Sequence, residues 1–172
     1  MMPIVLPVCY NSTMDVYEFL KKHNIAYEKY GHPAVFTAEE AKTLAAHVPG
    51  QQTKNLFLCD DKKRRFYLVT IMDEKRADLK HLREFLGEKS LRFAPPDKLL
   101  EYLGLTPGSV SILGLINDAN HLVSFAIDED LLKLDKIYVH PNINTATLAI
   151  DIEDFKKILS LTGHELKIYK TN

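Results

Sequence analysis

The stretch Thr53-Lys54-Asn55-Leu56-Phe57-Leu58-Cys59-Asp60 decides how the rest of this chain is arranged. In an extended strand successive side chains point to opposite faces, so the even-numbered positions share one face and the odd-numbered positions share the other. Both faces are then largely apolar. This pattern is typical of a strand in the middle of a sheet that is covered on each side, and it places Lys54 at the edge of the buried zone.

The amine of Lys54 permits two interpretations. It projects into the mouth of a cleft, or the methylene stem covers the core while the charged head reaches into water. Lysine at the end of a strand is common and is rarely catalytic, so this stretch by itself favours the second interpretation. The choice between them depends on the rest of the chain.

Length and composition indicate an ordinary globular protein. The chain has 172 residues, of which 46% are hydrophobic and 26% charged, and this suits a single domain over 1–172. A formal net charge of -1 argues against a surface that grips nucleic acid along its length, but it does not exclude binding at one end. Two cysteines are too few for a disulfide framework, and no apolar run reaches membrane-spanning length. We therefore predict a cytoplasmic protein with reduced thiols and no membrane contact.

Helix and strand signals alternate along the chain without a strict βαβ rhythm. About seven strands and five or six helices are indicated, and the stretch 54–59 pairs with 65–72 as an antiparallel hairpin. We predict an α+β fold with a mixed, mostly antiparallel central sheet flanked by helices. The predicted helix starts are Ser12 or Thr13, the capping box Thr37-Ala38-Glu39-Glu40 of a helix reaching about Ala46, Asp78, Pro95-Pro96 and Asp151.

The segment from Thr106 to Asp118 departs from this regular pattern. Pro107-Gly108 is typical of a turn, and Gly114 follows six residues later. Two glycines around small residues let the backbone approach a ligand and direct its amides at an anion or a carbonyl oxygen. A simple bend between two elements explains the segment equally well. Asn117-Asp118 is a turn that could also offer polar groups to a cleft.

Several other chemistries lack the residues that they need. The histidines show no zinc-binding spacing, and no phosphate loop or dinucleotide fingerprint is present, so we expect no metal and no cofactor. Ser109 and Ser111 lack the nucleophile elbow of serine hydrolases. A nucleophilic Cys59 with His140 as its base is conceivable, but a buried, inert thiol is favoured because cysteine is among the most buried residue types.

Five motifs occur together in the order and spacing of one known family. The chain resembles the YbaK/prolyl-tRNA-synthetase-associated domain family, and most of all its freestanding alanyl-tRNA(Pro) deacylase branch. The match covers nearly the whole chain, and linked motifs are more specific than any one of them. The segments that carry it are Thr53–Leu58, Leu91–Ala94, Leu103–Ser111, Gly114–Asp118 and His140-Pro141-Asn142-Ile143-Asn144-Thr145.

The resemblance implies trans-editing, in which a mischarged aminoacyl-tRNA is hydrolysed at its ester bond. The implied partners are the acceptor end of tRNA(Pro) carrying the wrong amino acid and, in addition, prolyl-tRNA synthetase. The lysine matching Lys54 would hold the phosphate or ribose of the terminal adenosine, and the histidine matching His140 would line the amino-acid pocket. The implied catalytic residues are Lys54 and the loop residues Gly108, Ser109, Val110 and Ser111, and the implied substrate-binding residues are Ile112, Gly114, Asn117, Asp118, His140 and Asn144.

One position departs from the family pattern, and two other functions stay open. The family loop reads Gly-x-x-x-Pro, whereas this chain has Ile112 at the proline position, which puts the amino-acid specificity in question. The alternatives are a deacylase for another mischarged tRNA and a non-catalytic regulator that binds charged tRNA or a synthetase. Candidate tRNA contacts, each also explained as a solvated surface charge, are Lys21, Lys22, Lys29, Lys62, Lys63, Arg64 and Arg65.

Overall fold

The computed structural model describes residues 13–35, 37, 39–40, 43 and 47–171. Its strands are β1 (Glu28–Gly31), β2 (Thr53–Cys59), β3 (Phe66–Met72), β4 (Arg92–Phe93), β5 (Val123–Asp128), β6 (Lys136–Val139), β7 (Ala146–Asp151) and β8 (Leu166–Tyr169). Its α-helices are α1 (Val16–Lys22), α2 (Leu79–Phe85), α3 (Pro96–Leu103) and α4 (Ile152–Thr162), and shorter 3-10 helices cover Ile112–Asn117 and Leu131–Lys133.

The strands form two sheets, where the sequence predicted one central sheet. A five-stranded sheet has the order β4-β2-β3-β5-β8, and a three-stranded antiparallel sheet has the order β1-β7-β6. In the larger sheet β2 pairs antiparallel with β3 and β4, while β5 runs parallel to β3 and β8. The α+β class and the predicted hairpin are thus confirmed. The number of sheets was wrong because strand pairing is set by contacts between distant segments, which the pattern within one strand does not encode.

The central position of β2 follows from its two apolar faces. Phe57 and Cys59 point into the main core, which receives residues from both sheets. Leu56 and Leu58 point into a second core under α2, where they share a cluster with Leu82. An inner strand covered on both faces is what the alternating pattern predicted. Within the described ranges, no helix combines the length and the apolar character that a membrane crossing requires.

Aspartate side chains cap the starts of α1 and α2, and one predicted cap was wrong. Asp78 accepts hydrogen bonds from the amides of Lys80 and His81 at the start of α2, as expected. Helix α1 begins later than predicted, because Asp15 and not Thr13 is its N-cap and accepts from the Glu18 amide at 2.9 Å. A carboxylate both satisfies that free amide and faces the positive end of the helix dipole.

The predicted capping box at 37–40 is present. The Thr37 amide donates to Glu40 Oε2 at 2.9 Å, and the Glu40 amide donates to Thr37 Oγ1 at 3.2 Å. These reciprocal bonds satisfy two amides that a helix start leaves free. Most of the helix expected to follow as far as Ala46 lies outside the described residues, as do Ser12 and the apolar arm Met1–Tyr10.

Gly114 is a packing residue, which corrects its expected role near a ligand. A β-carbon at this position would lie 2.6 Å from Leu105 Cδ1 and 3.2 Å from Leu103 Cβ. The glycine therefore lets the 3-10 helix lie directly against Leu103 at the end of α3 and against Leu105. The close approach of the backbone is to leucine side chains in the main core and not to an open cleft.

Gly114→Ala should lower the free energy of unfolding by about 1–3 kcal/mol, because the new methyl group overpacks the core against Leu105. Urea denaturation followed by circular dichroism measures the change. Gly31→Ala is the matched control, since a β-carbon there meets nothing within 4 Å and the change should be close to neutral. Equal stability of the two variants would contradict the packing role of Gly114.

Candidate active site

Two strands from different sheets meet where the candidate site forms. Gln52 bridges Tyr138 in parallel orientation, and Thr53 Oγ1 donates to the Tyr138 carbonyl at 2.7 Å. The two segments run in the same direction from this bridge, and Lys54 and His140 each lie two residues beyond it. The start of β2 and the end of β6 therefore bring these two predicted residues into one region.

A tight turn shapes the loop that enters this region. Pro107 and Gly108 occupy the central positions of a turn closed by the Ser109 amide, which donates to the Thr106 carbonyl at 3.1 Å. Gly108 has φ +88°, which an L side chain rarely adopts and which a type II turn requires at this position. The turn predicted from Pro107-Gly108 is confirmed.

Asn55 holds the loop against β2. Its Nδ2 donates to the Val110 carbonyl at 3.1 Å, and its Oδ1 accepts from Thr70 Oγ1 at 2.7 Å. Thr70 is fully buried on β3, so the amide group is fixed from both ends. Asn55 is a site residue that the sequence did not indicate, although it stands next to Lys54 in the chain. Only its contact with position 110 reveals its role.

Ser111 joins the loop to the segment that carries His140. Its hydroxyl donates to the His140 carbonyl and accepts from the Leu113 amide at 3.2 Å. The side chain is fully buried, and it caps the 3-10 helix that follows. The hydroxyl is therefore already engaged in positioning two parts of the site.

The loop leaves backbone donors free. Among the residues that the structure describes, the amides of Gly108, Val110 and Ser111 have no hydrogen-bond acceptor. Amides held in place without an acceptor can bind an anion or a negatively charged oxygen that forms during a reaction. Asn55 and the Ser111 hydroxyl fix the backbone that presents them.

His140 is neutral near pH 7 and has a defined tautomer. Its Nδ1 lies 3.0 Å from the Ala146 carbonyl, which only accepts, so Nδ1 carries the hydrogen and Nε2 keeps a lone pair. Burial lowers the pKa of His140 below its ordinary value, and the neighbouring His32 lowers the pKa further. The His32 and His140 rings lie 6.2 Å apart, and His32 Nε2 contacts Thr147 Oγ1 at 3.1 Å. His32 is a site residue that the sequence did not indicate, because it lies far away along the chain.

Lys54 does not contact the loop. Its Nζ donates to the carbonyl of Asp73 at 2.9 Å, and the strand alternation places it on the opposite face of β2 from Asn55. The family resemblance predicts that Lys54 and the loop act on one substrate, but the contact between β2 and the loop is made by Asn55. No carboxylate among the described residues pairs with Lys54, so its charge is not neutralised.

Three residues expected to bind substrate are instead structural. Ile112 is buried in the main core, so its side chain does not line a cleft. Asn117 donates to the Leu103 carbonyl at 2.8 Å and ties the 3-10 helix to α3. Asp118 is buried and accepts from the amide that starts β5. These corrections share one reason, which is that the 3-10 helix runs away from the loop into the core.

The remaining candidates lie in different parts of the molecule. Asn144 is partly exposed in the loop after His140 and stays a candidate for substrate contact. In the same loop Asn142 has φ +62°, and its buried Oδ1 has no hydrogen-bond partner. Cys59 is fully buried at the far end of β2, so it does not serve as a nucleophile for His140. Within the described residues, no three His, Cys, Asp or Glu side chains gather into a metal-binding group.

The fold and this site together define an aminoacyl-tRNA editing domain. The model of that family matches residues 32–158, and the chain belongs to it. The family is one of hydrolases that remove an amino acid from tRNA, so the protein is an aminoacyl-tRNA hydrolase. The resemblance found in the sequence motifs is thereby confirmed.

Two relatives and one solved structure are similar to most of this chain. It is 37% identical to the prolyl-tRNA editing protein ProX of Acetoanaerobium sticklandii, over 86% of this chain and 90% of that protein. It is 38% identical to the prolyl-tRNA synthetase associated domain-containing protein 1 of Mus musculus, over 82% of this chain and 85% of that protein. A crystal structure described as a candidate trans-editing enzyme for prolyl-tRNA synthetase superposes with a TM-score of 0.66 at 25% identity, covering 92% of this chain and 96% of the other.

Asp118→Asn should destabilise the protein by about 1–3 kcal/mol near pH 7, because it weakens buried charged hydrogen bonds. Burial raises the pKa of Asp118, but hydrogen bonds from His164 and the backbone outweigh it and hold the pKa below the ordinary 3.8. The contribution is therefore present above that value and is lost as the pH falls below it. Urea denaturation at pH 7 and at acid pH measures the difference.

The matched control for this change is Asp135→Asn, which alters an exposed aspartate. We expect that variant to keep the acid sensitivity of the wild type, whereas Asp118→Asn should show a weaker dependence of stability on pH. Identical pH profiles for Asp118→Asn and the wild type would contradict the structural role assigned to Asp118.

Proposed function

We propose that this protein is a trans-editing enzyme that hydrolyses the ester bond of mischarged tRNA(Pro), with Ala-tRNA(Pro) as its preferred substrate. The observation that carries the proposal is the loop Gly108–Ser111, whose free amides are fixed beside a neutral histidine. The names of the relatives in Acetoanaerobium sticklandii and Mus musculus support prolyl-tRNA as the tRNA concerned and prolyl-tRNA synthetase as a further partner.

A separate hydrolytic site is useful because a synthetase pocket excludes a smaller amino acid only weakly. Alanine is smaller than proline and fits a pocket built for proline, and a hydrophobic pocket rejects such a substrate by only about 1–3 kcal/mol. Mischarged tRNA is therefore formed at a rate that binding alone does not suppress. A separate site that admits alanine and excludes proline removes the error after it has been made.

The loop amides supply the main chemical contribution. When water attacks the ester carbonyl, the carbonyl oxygen becomes negatively charged, and donors positioned beforehand stabilise it. One well-placed donor contributes about 3–4 kcal/mol to the rate. The amides of Gly108, Val110 and Ser111 are the candidate donors, and the backbone of Ser109 completes the turn that carries them. In this proposal the 2′-hydroxyl of the terminal ribose assists the attacking water.

His140 and Lys54 bind the two ends of the substrate tip. The Nε2 lone pair of His140 faces the amino-acid pocket as a hydrogen-bond acceptor, and its ring limits the size of that pocket. Lys54 offers the free protons of its ammonium to the phosphate or ribose of the terminal adenosine. Asn144, in the loop after His140, is the remaining candidate for contact with the substrate.

The missing loop proline is compensated by side-chain contacts. A proline at position 112 would stiffen the loop, and here the Asn55 amide and the Ser111 hydroxyl hold it instead. Because these contacts hold the loop rigid without the proline, its absence does not favour the alternative function of a regulator that binds tRNA without cleaving it. We treat 1–172 as one editing domain, supported by a main core that receives residues from both sheets.

Lys54→Ala should reduce kcat/KM for Ala-tRNA(Pro) by about 10- to 150-fold, the loss expected for a charged hydrogen bond of about 1.5–3 kcal/mol. Deacylation of purified Ala-tRNA(Pro) measures the change, and circular dichroism checks that the fold is kept. Lys54→Arg, which retains the charge, should keep part of the activity. Full activity of Lys54→Ala would discard the proposed role.

Changing the size of the residue at position 140 should change which aminoacyl-tRNA is cleaved. We expect His140→Ala to raise the rates for larger amino acids relative to alanine, because the ring no longer limits the pocket. A panel of alanyl, seryl and cysteinyl substrates on tRNA(Pro) measures the ratios. Unchanged ratios across the panel would count against His140 as a selectivity residue, whatever the absolute rates.

A further inference from the structure

Unpaired positive charges gather at the end of the β2–β3 hairpin that is remote from the candidate site. The hairpin turn and the segment after α2 line a cavity of about 330 Å³. Among the described residues, four exposed side chains of these two segments have no carboxylate within ion-pair distance. They are Lys62, Lys63, Arg64 and Lys89.

Two of the three acidic residues that line this cavity are occupied by other contacts, and the third, Asp61, is exposed. Asp60 accepts from the amides of Arg64 and Arg65 at 2.6 and 2.9 Å, and the Arg65 amide is the main reason that the pKa of Asp60 is lowered. Glu88 is buried and accepts from Arg65 Nη2 at 2.7 Å and from the Tyr67 hydroxyl. Two of the carboxylates therefore hold the hairpin in shape, and the cations around them are left to bind an external anion.

An exposed aromatic ring lies on the neighbouring edge strand. Phe93 of β4 is 62% exposed, and Arg92 beside it donates to the Asp61 carbonyl in the hairpin turn. An exposed ring on the strand that pairs with the end of β2, before a cationic turn, is a combination that suits nucleic acids, because phosphates contact the cations and an unpaired base stacks on the ring. An acidic peptide would use the cations but would have no base to stack on Phe93.

The distance between this region and the candidate site suits a tRNA. Strand β2 has seven residues, which at about 3.3 Å per residue separates its two ends by roughly 20 Å. The unpaired 3′ end of a tRNA has to cross a comparable distance between the ester and the first base pairs. The two ends of β2 are therefore far enough apart for one to lie beside the ester and the other beside the phosphates of the stem.

We propose that this basic region of the hairpin binds the sugar-phosphate backbone of the acceptor stem while the aminoacyl tip occupies the site at the other end of β2. The proposal rests on the proposed function for its substrate, and it adds the surface that holds the stem. The near-neutral net charge is consistent with it, since a few unpaired cations in one region suffice to contact a few phosphates.

Charge reversal tests the proposal. Lys62→Glu, Arg64→Glu and Lys89→Glu are made singly and together, leaving Arg65 to hold Glu88. Lys167→Glu is the control, because Lys167 lies on β8 at the opposite edge of the sheet and has no ion-pair partner among the described residues. Binding of uncharged tRNA(Pro) is measured by fluorescence anisotropy over a range of salt concentrations, and circular dichroism checks each fold.

The triple variant should bind uncharged tRNA(Pro) at least about 10-fold more weakly, with a salt dependence reduced by about two to three units of slope, while the control binds as the wild type. Phe93→Ala should weaken binding with the slope unchanged. Wild-type affinity in the triple variant, or an equal loss in the control, would overturn the proposal. If Phe93→Ala binds with the affinity of the wild type, the proposed stacking of a base on Phe93 is wrong.

A short substrate separates this proposal from the proposed function. Deacylation of an aminoacylated CCA trinucleotide, which has no stem, should be the same in the triple variant and the wild type, while KM for full-length Ala-tRNA(Pro) should rise with kcat unchanged. Equal losses on both substrates would contradict a stem contact. A wild type that cleaves neither would refute the proposed function, and the anisotropy measurements would still decide whether this surface binds tRNA.

Discussion

The two hydrogen bonds of the Asn55 side chain are the constraint on which the candidate site depends. One connects β2 to the buried Thr70 of β3, and the other connects β2 to the carbonyl of Val110. An amide group held at both its oxygen and its nitrogen has little freedom to rotate. The loop whose amides are free is thus fixed to an inner strand of the larger sheet, as the proposed role of these donors requires.

A second connection makes the site one unit. The Ser111 hydroxyl donates to the His140 carbonyl, so the loop, which Asn55 of the larger sheet holds, keeps a fixed relation to the residue that follows β6 of the smaller sheet. The buried environment also keeps His140 neutral and directs its lone pair outward from the Ala146 carbonyl. Free amides and a neutral imidazole are therefore held on segments that one hydrogen bond joins, which is the arrangement from which the proposed function is argued.

The separation of tasks along β2 explains why a near-neutral protein can act on tRNA. Its first residues contribute to the candidate site, whereas the turn after its last residue carries unpaired cations. Contacts to a few phosphates at one end position the nucleic acid without a basic surface along the whole molecule. In the proposed arrangement, substitutions at one end of β2 alter the chemistry of the ester, and substitutions at the other end alter the contact with the stem.

The sequence by itself determined the features that depend on near neighbours. The two apolar faces of β2, the caps Thr37 and Asp78, and the turn at Pro107-Gly108 follow from alternation, side-chain hydrogen bonding and backbone angles within a few residues. The family motifs likewise indicated Lys54, the loop and His140 as one site, and the comparison with the editing family confirmed the class.

Only the tertiary structure decided which groups meet. Asn55 and Val110 are 55 positions apart, and Ser111 and His140 are 29 apart, so no local pattern could reveal that these pairs form hydrogen bonds. For the same reason Gly114 was assigned to a ligand when its neighbour is a leucine, and the strands were assigned to one sheet where two form. Side-chain contacts across a core depend on the packing of every element at once, and that information is spread over the whole chain.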